Sequence, residues 1–166
     1  MLSDKYLDAL IRATSHEVQA RLFLRNELGD DAYAALGEEQ IEDLAKAIMT
    51  FREEPRAAVS CAGRAAEDFL RLVATSKGTR DYQRANGVGQ IADLMKGEAP
   101  PLLLPAHHAR ATYVGAMRNA GGGHGLDKRT METWAVPPEA ALDLIIVSIN
   151  FIRSVHEYAF KQTQVL

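Results

Sequence analysis

From Pro138 to about Lys161 the chain is apolar on nearly every side of a helical wheel. Ala141, Leu144, Ile145, Ser148, Ile152 and Val155 line one face, and Leu142, Ile146 and Ile149 line another. Such a helix either sits at the centre of a bundle or lies half-buried against a partner. It therefore sets two expectations: an all-α bundle and a homodimer. The apolar run from Leu142 to Ile152 is too short and too interrupted to span a bilayer, so no membrane partner is expected.

The rest of the chain repeats the helical period. Residues 4–26, opened by Ser3 or Asp4, carry Leu7, Leu10, Ile11, Val18, Leu22 and Phe23 at spacings of three and four, and Gly29 stops them. A second helix begins near Gly37 with the stripe Ile41, Leu44, Ala45, Ile48 and Met49. Pro55 suits the first turn of a third, which runs to about Thr75. A short fourth covers Val88 to Met95, and a fifth runs from about Ala106 to Asn119. Pro100, Pro101 and Pro105 keep the stretch 97–105 from being helical throughout. Asn86-Gly87 is not flanked by alternating runs, so no hairpin of strands is expected. The glycine and proline segments are short loops, not linkers. Pro55 is the expected boundary between an N-terminal helical segment, 1–54, and a domain over 55–166.

Composition removes several classes of function. A net charge of −3 supplies no broad basic field for nucleic acid, so any such contact must be local or shared between subunits. The single cysteine, Cys61, lies in an alanine-rich helical pattern and reads as a small buried hydrophobe. The first residues lack the basic and apolar regions of a signal peptide, so a reducing, cytoplasmic setting is expected. There is no His-Glu-x-x-His, no paired cysteine and no clustered acidic loop, so neither a metal nor another cofactor is expected.

Chemistry concentrates at Arg118-Asn119-Ala120-Gly121-Gly122-Gly123-His124-Gly125. The fifth helix runs into Arg118, and the glycines then promise a turn. Arginine carries a permanent forked charge, and histidine titrates nearest neutrality. An arginine at a helix end and an imidazole on the next turn can converge on one phosphate. In the third helix Arg64, Glu67, Asp68 and Arg71 place opposite charges on one face. That face is either a solvated ion-pair ladder or a support in which Arg64 and Glu67 turn inward to hold the Arg118 loop.

Taken together, Pro55-Arg56-Ala57-Ala58-Val59, Arg64-Ala65-Ala66-Glu67, the Arg118–Gly125 element and Pro138-Glu139-Ala140 resemble the C-terminal domain of bacterial abortive-infection proteins, a branch of the HEPN-like superfamily. The resemblance covers roughly residues 55–160. It implies a compact helical bundle that dimerises. It also implies a metal-independent endoribonuclease of toxin or phage-defence type, with RNA as substrate and a cognate antitoxin or regulator as partner. Arg118 matches the family arginine, Asn119 the polar residue and His124 the histidine, with Glu67 as the accompanying acid. Arg64, Gly123 and Gly125 are the supporting binding positions, the glycines because they let backbone approach a phosphate. Where relatives often carry a charged or bulky spacer residue, this chain has Ala120 and three glycines. A non-catalytic HEPN-like dimerisation or binding module is the competing reading, and a small-ligand sensor is a third.

Other features read as structural. His107 and His108 point to different faces and belong to the surface or to the first turn of the fifth helix. Trp134 and Tyr113 read as core or interface aromatics before base-stacking ones. Gly87-Val88-Gly89 follows no strand and is not a dinucleotide fingerprint.

Overall fold

The computed structural model describes residues 3–123 and 135–161. Among these residues the fold is all-α, with eight α-helices and no strand. They are α1 Asp4–Ala13, α2 Glu17–Leu28, α3 Asp30–Ala35, α4 Glu38–Thr50, α5 Pro55–Lys77, α6 Gly87–Lys96, α7 Pro105–Met117 and α8 Pro138–His156. Two π-helical turns, Arg118–Gly123 and Glu157–Lys161, extend α7 and α8.

The single helix expected over 4–26 is a hairpin of two. Thr14 Oγ1 and Ser15 Oγ donate to the carbonyls of Ile11 and Arg12, at 2.8 and 2.7 Å, and so close α1. His16 then caps α2, its Nδ1 accepting the Val18 N–H at 3.1 Å. Short polar side chains that bond to nearby backbone compete with helix continuation in this way. The break also redistributes the expected stripe. Leu10 and Phe23 are buried, but Leu7, Ile11, Val18 and Leu22 are 40 to 57% exposed. Gly29, at φ 80°, ends α2 in a conformation that favours glycine.

Helix α5 lies at the centre, packed against α4 on one side and α8 on another. Its Ala58, Ala62, Gly63, Ala65 and Ala66 are buried, so neighbouring backbones come close. Helix α8 packs against α2, α5 and α7, which bury its Ala141, Leu144, Ile145, Ser148, Ile152 and Val155 face, while Leu142 and Ile146 stay half-buried. Phe69, Leu70, Leu144, Phe151 and Ile152 fill the middle. Pro55 opens α5 as expected, and helices on both sides of it share one hydrophobic cluster that runs from Leu10 to Val155.

Two connections bear on the site. The loop at 78–86 is held by Glu98, which is buried. Its carboxylate accepts from the Thr79 N–H and hydroxyl at 2.8 Å each, from the Arg80 N–H at 3.1 Å and from the Tyr82 hydroxyl at 2.7 Å. The glycines after Asn119 do not break the helix where a turn was expected. Gly121 to Gly123 continue it in wider π winding, which often marks functional positions in helices. His124, Gly125 and Trp134 lie outside the described residues.

Candidate functional site

Arg118 ends α7, and the π turn that it opens packs against α5. Its methylene stem crosses α5 at Gly63. A Cβ on Gly63 would stand 2.8 Å from Arg118 Cδ and 3.1 Å from both Cβ and Cγ, so only glycine leaves room there. One helical turn further along α5, Glu67 Oε2 accepts from Arg118 Nη1. The other carboxylate oxygen accepts from Arg71 Nη2 at 3.1 Å. Glu67 is thus shared by two guanidiniums, and 14% of its side chain is exposed, against 29% for Arg118 and 32% for Arg71.

Arg71 carries the connection outward. Its Nη1 donates to the Tyr82 carbonyl at 2.8 Å and its Nη2 to the Ala85 carbonyl at 3.2 Å. Arg118, Glu67, Arg71 and the 78–86 loop form one continuous chain of polar contacts. Asp68, beside Glu67, is also part-buried. Burial first, then the negative charges of Glu67 and Asp43, raise its pKa above the usual carboxylate value, against the pull of Arg118 and Arg64.

The structure brings Glu67 and Arg118 together and separates Arg64 from them. Arg64 forms a bidentate pair with Asp43 of α4, Nε to Oδ2 and Nη2 to Oδ1, both at 2.6 Å. It holds α4 to α5 and does not turn toward the Arg118 turn. Asn119 is exposed beside Arg118. Gly123 ends the described part of the turn. Sequence reasoning missed Gly63, whose only signal was a glycine within an alanine run, and the tie from Arg71 to Tyr82 and Ala85.

Remaining candidates have structural places. Cys61 is buried, and burial raises its thiol pKa, so it is a poor nucleophile. His107 stands in the first turn of α7 but faces inward. Its Nδ1 accepts the Leu104 N–H at 3.3 Å, which leaves the proton on Nε2, 2.7 Å from Ser154 Oγ. With the ring donating to it, His107 does not serve Ser154 as a base. His108 Nε2 meets Asp93 at 2.6 Å. Tyr113 donates to Asp143 of α8, and burial together with that bond pushes its pKa up to about 12.

Among the described residues no group of three His, Cys, Asp or Glu side chains could hold a metal ion. None of the described helices is long and apolar enough to cross a membrane. No family model, no curated protein and no solved structure matches the chain.

Proposed function

We propose that this chain is a HEPN-like, metal-independent endoribonuclease of toxin or phage-defence type, with Arg118 and His124 acting on an RNA phosphate. The observation that carries the reading is the meeting of Glu67 with Arg118 across 51 residues of sequence. A carboxylate so placed fixes the guanidinium before substrate arrives. The fork has five N–H donors, so one carboxylate does not exhaust it.

RNA contains its own nucleophile. His124, which follows Gly123 directly in sequence, takes the proton of the 2′-hydroxyl as a neutral imidazole, worth about 10²–10⁴-fold. The 2′-oxygen attacks the adjacent phosphorus and the P–O bond to the 5′-oxygen breaks; that oxygen takes a proton from water as it leaves, and the His124 imidazolium gives its own proton back to water. The products are a 2′,3′-cyclic phosphate and a 5′-hydroxyl. Arg118 balances the charge that builds on the phosphoryl oxygens. Both oxygens of Glu67 are engaged by arginine, so it orients and neutralises and does not act as the base. Asn119 lies beside the phosphate contact. RNA as substrate, a cytoplasmic setting and a cognate antitoxin or regulator belong with this reading.

The second reading, a non-catalytic binding module, draws on the same pair: Arg118 is largely covered and is paired within its own chain. One experiment separates them. Purified protein is incubated with total tRNA and mRNA in EDTA, beside His124→Ala and Arg118→Lys. The enzyme cleaves in EDTA, leaves cyclic phosphate ends, and loses activity in both variants while their melting temperatures hold. Inert wild-type protein with variants that unfold supports the module.

A further inference from the structure

Arg64 and Arg71 stand on the same face of α5, two turns apart, and meet their acids in different proportions. Arg64 takes both oxygens of Asp43, one cation to one anion. Arg71 takes one oxygen of Glu67, and Arg118 takes the other. Two cations thus share one anion, and the group Arg71, Glu67 and Arg118 holds one positive charge in excess. Asp68, the next acid along α5, forms no ion pair among the described residues, and burial raises its pKa.

The other partners of Arg71 are the carbonyls of Tyr82 and Ala85, which are neutral. They aim the guanidinium without cancelling its charge. Arg71 and Arg118 both reach solvent, with 32 and 29% of their side chains exposed, while Glu67 between them is mostly covered. An anion in solvent therefore finds the guanidiniums more accessible than the carboxylate. The chain as a whole carries −3, so a local surplus of positive charge is what RNA has to find.

We propose that Arg71 is a positioning residue for Arg118, a role that rests on the reading of Arg118 as the arginine that meets an RNA phosphate. Arg71 balances the charge of Glu67 and so leaves the charge of Arg118 for the phosphate. Without it, Glu67 and Arg118 would form a neutral pair, as Asp43 and Arg64 do, and a phosphate would compete with a carboxylate for the guanidinium. The same arginine fastens the 78–86 loop, so its charge and its hold on the loop have to be tested apart.

RNA binding by the full chain separates them. The host carries His124→Ala, so nothing is cleaved, and the probe is a fluorescent single-stranded RNA of about ten nucleotides. Anisotropy gives the affinity over a range of salt. Arg71→Met removes the charge, and Arg71→Lys keeps it while losing the fork that spans two carbonyls. The slope of log affinity against log salt becomes shallower by roughly 0.7 in Arg71→Met, one phosphate charge left unbalanced. Arg71→Lys keeps the slope of the host. Arg71→Met/Glu67→Gln recovers it, because removing the carboxylate returns the surplus to Arg118. An unchanged slope in Arg71→Met overturns the proposal, as does a double variant no steeper than Arg71→Met. If circular dichroism shows Arg71→Met unfolded, Arg71→Lys decides, and a shallower slope there overturns it. A host that binds no RNA overturns it together with the reading of Arg118. The expected slopes with a wild type that cleaves nothing uphold the charge balance and remove only the nuclease.

Discussion

The stem of Arg118 lies on Gly63, with 2.8 Å between Arg118 Cδ and the place where a Cβ would stand. Gly63→Ala therefore puts two effects in opposition. Alanine favours the helix by about 1 kcal/mol, and overpacking costs about 1–3 kcal/mol. The melting temperature should move by only a few degrees, because about 1 kcal/mol shifts a domain of this size by roughly 2–4 °C. Arg118 should be displaced from Glu67 all the same. On the proposed function RNA cleavage should fall on the order of 10²-fold, the scale for an ångström of misplacement. Calorimetry beside a cleavage assay checks both halves.

Glu67→Gln should behave differently from a surface change. The substitution would keep the side chain's shape but leave two guanidiniums sharing a neutral amide. The expected loss is about 1–3 kcal/mol, below the usual cost of breaking a buried pair because both arginines retain contact with water. Urea unfolding measures it. A change under a few tenths of a kcal/mol would mean that Glu67 does not bind the two arginines in solution.

Stability in acid should depend on Glu98. The Tyr82 hydroxyl and the Thr79 and Arg80 donors hold its pKa down to about 2, against 4.5 ordinarily. The folded value lies below the unfolded one, so its contribution is whole above about 4.5 and is lost as the pH falls through about 2. Unfolding free energies measured from pH 5 to pH 2 should decline less steeply in Glu98→Gln than in the wild type. Equal slopes would refute the assignment.

Ser148 in α8 is fully buried, and its hydroxyl has no hydrogen-bond partner among the described residues. Ser148→Ala should stabilise the protein by about 1 kcal/mol, the lower range for a buried polar group left unpaired. The melting temperature should rise by roughly 2–4 °C. A fall would show that the hydroxyl is satisfied in solution.

Helices were legible wherever apolar period and end signals agreed, as at Pro55 and at Pro138. They were not where a break leaves the period intact: Thr14, Ser15 and His16 interrupt a run whose apolar residues keep their spacing. The site was legible in part for a similar reason. Helical spacing put Arg64, Glu67 and Arg71 on one face, but direction around the helix depends on neighbours. Arg64 found Asp43, 21 residues away, and no local pattern encodes that pairing. Glu67 could turn to Arg118 because Gly63 left the space, which is a packing fact that appears only once two helices touch.

The loop at 78–86 is fastened at its start by Glu98 and near its end by Arg71. A protease must draw several residues on each side of a bond into extended form. Arg84 is almost wholly exposed, yet the carbonyls of Tyr82 and Ala85, on either side of it, are both held by Arg71. Trypsin should therefore pass over Arg84 in the native chain and cut it readily in Arg71→Ala. A segment that looks like slack between two helices is, to an enzyme trying to digest it, part of the solid body.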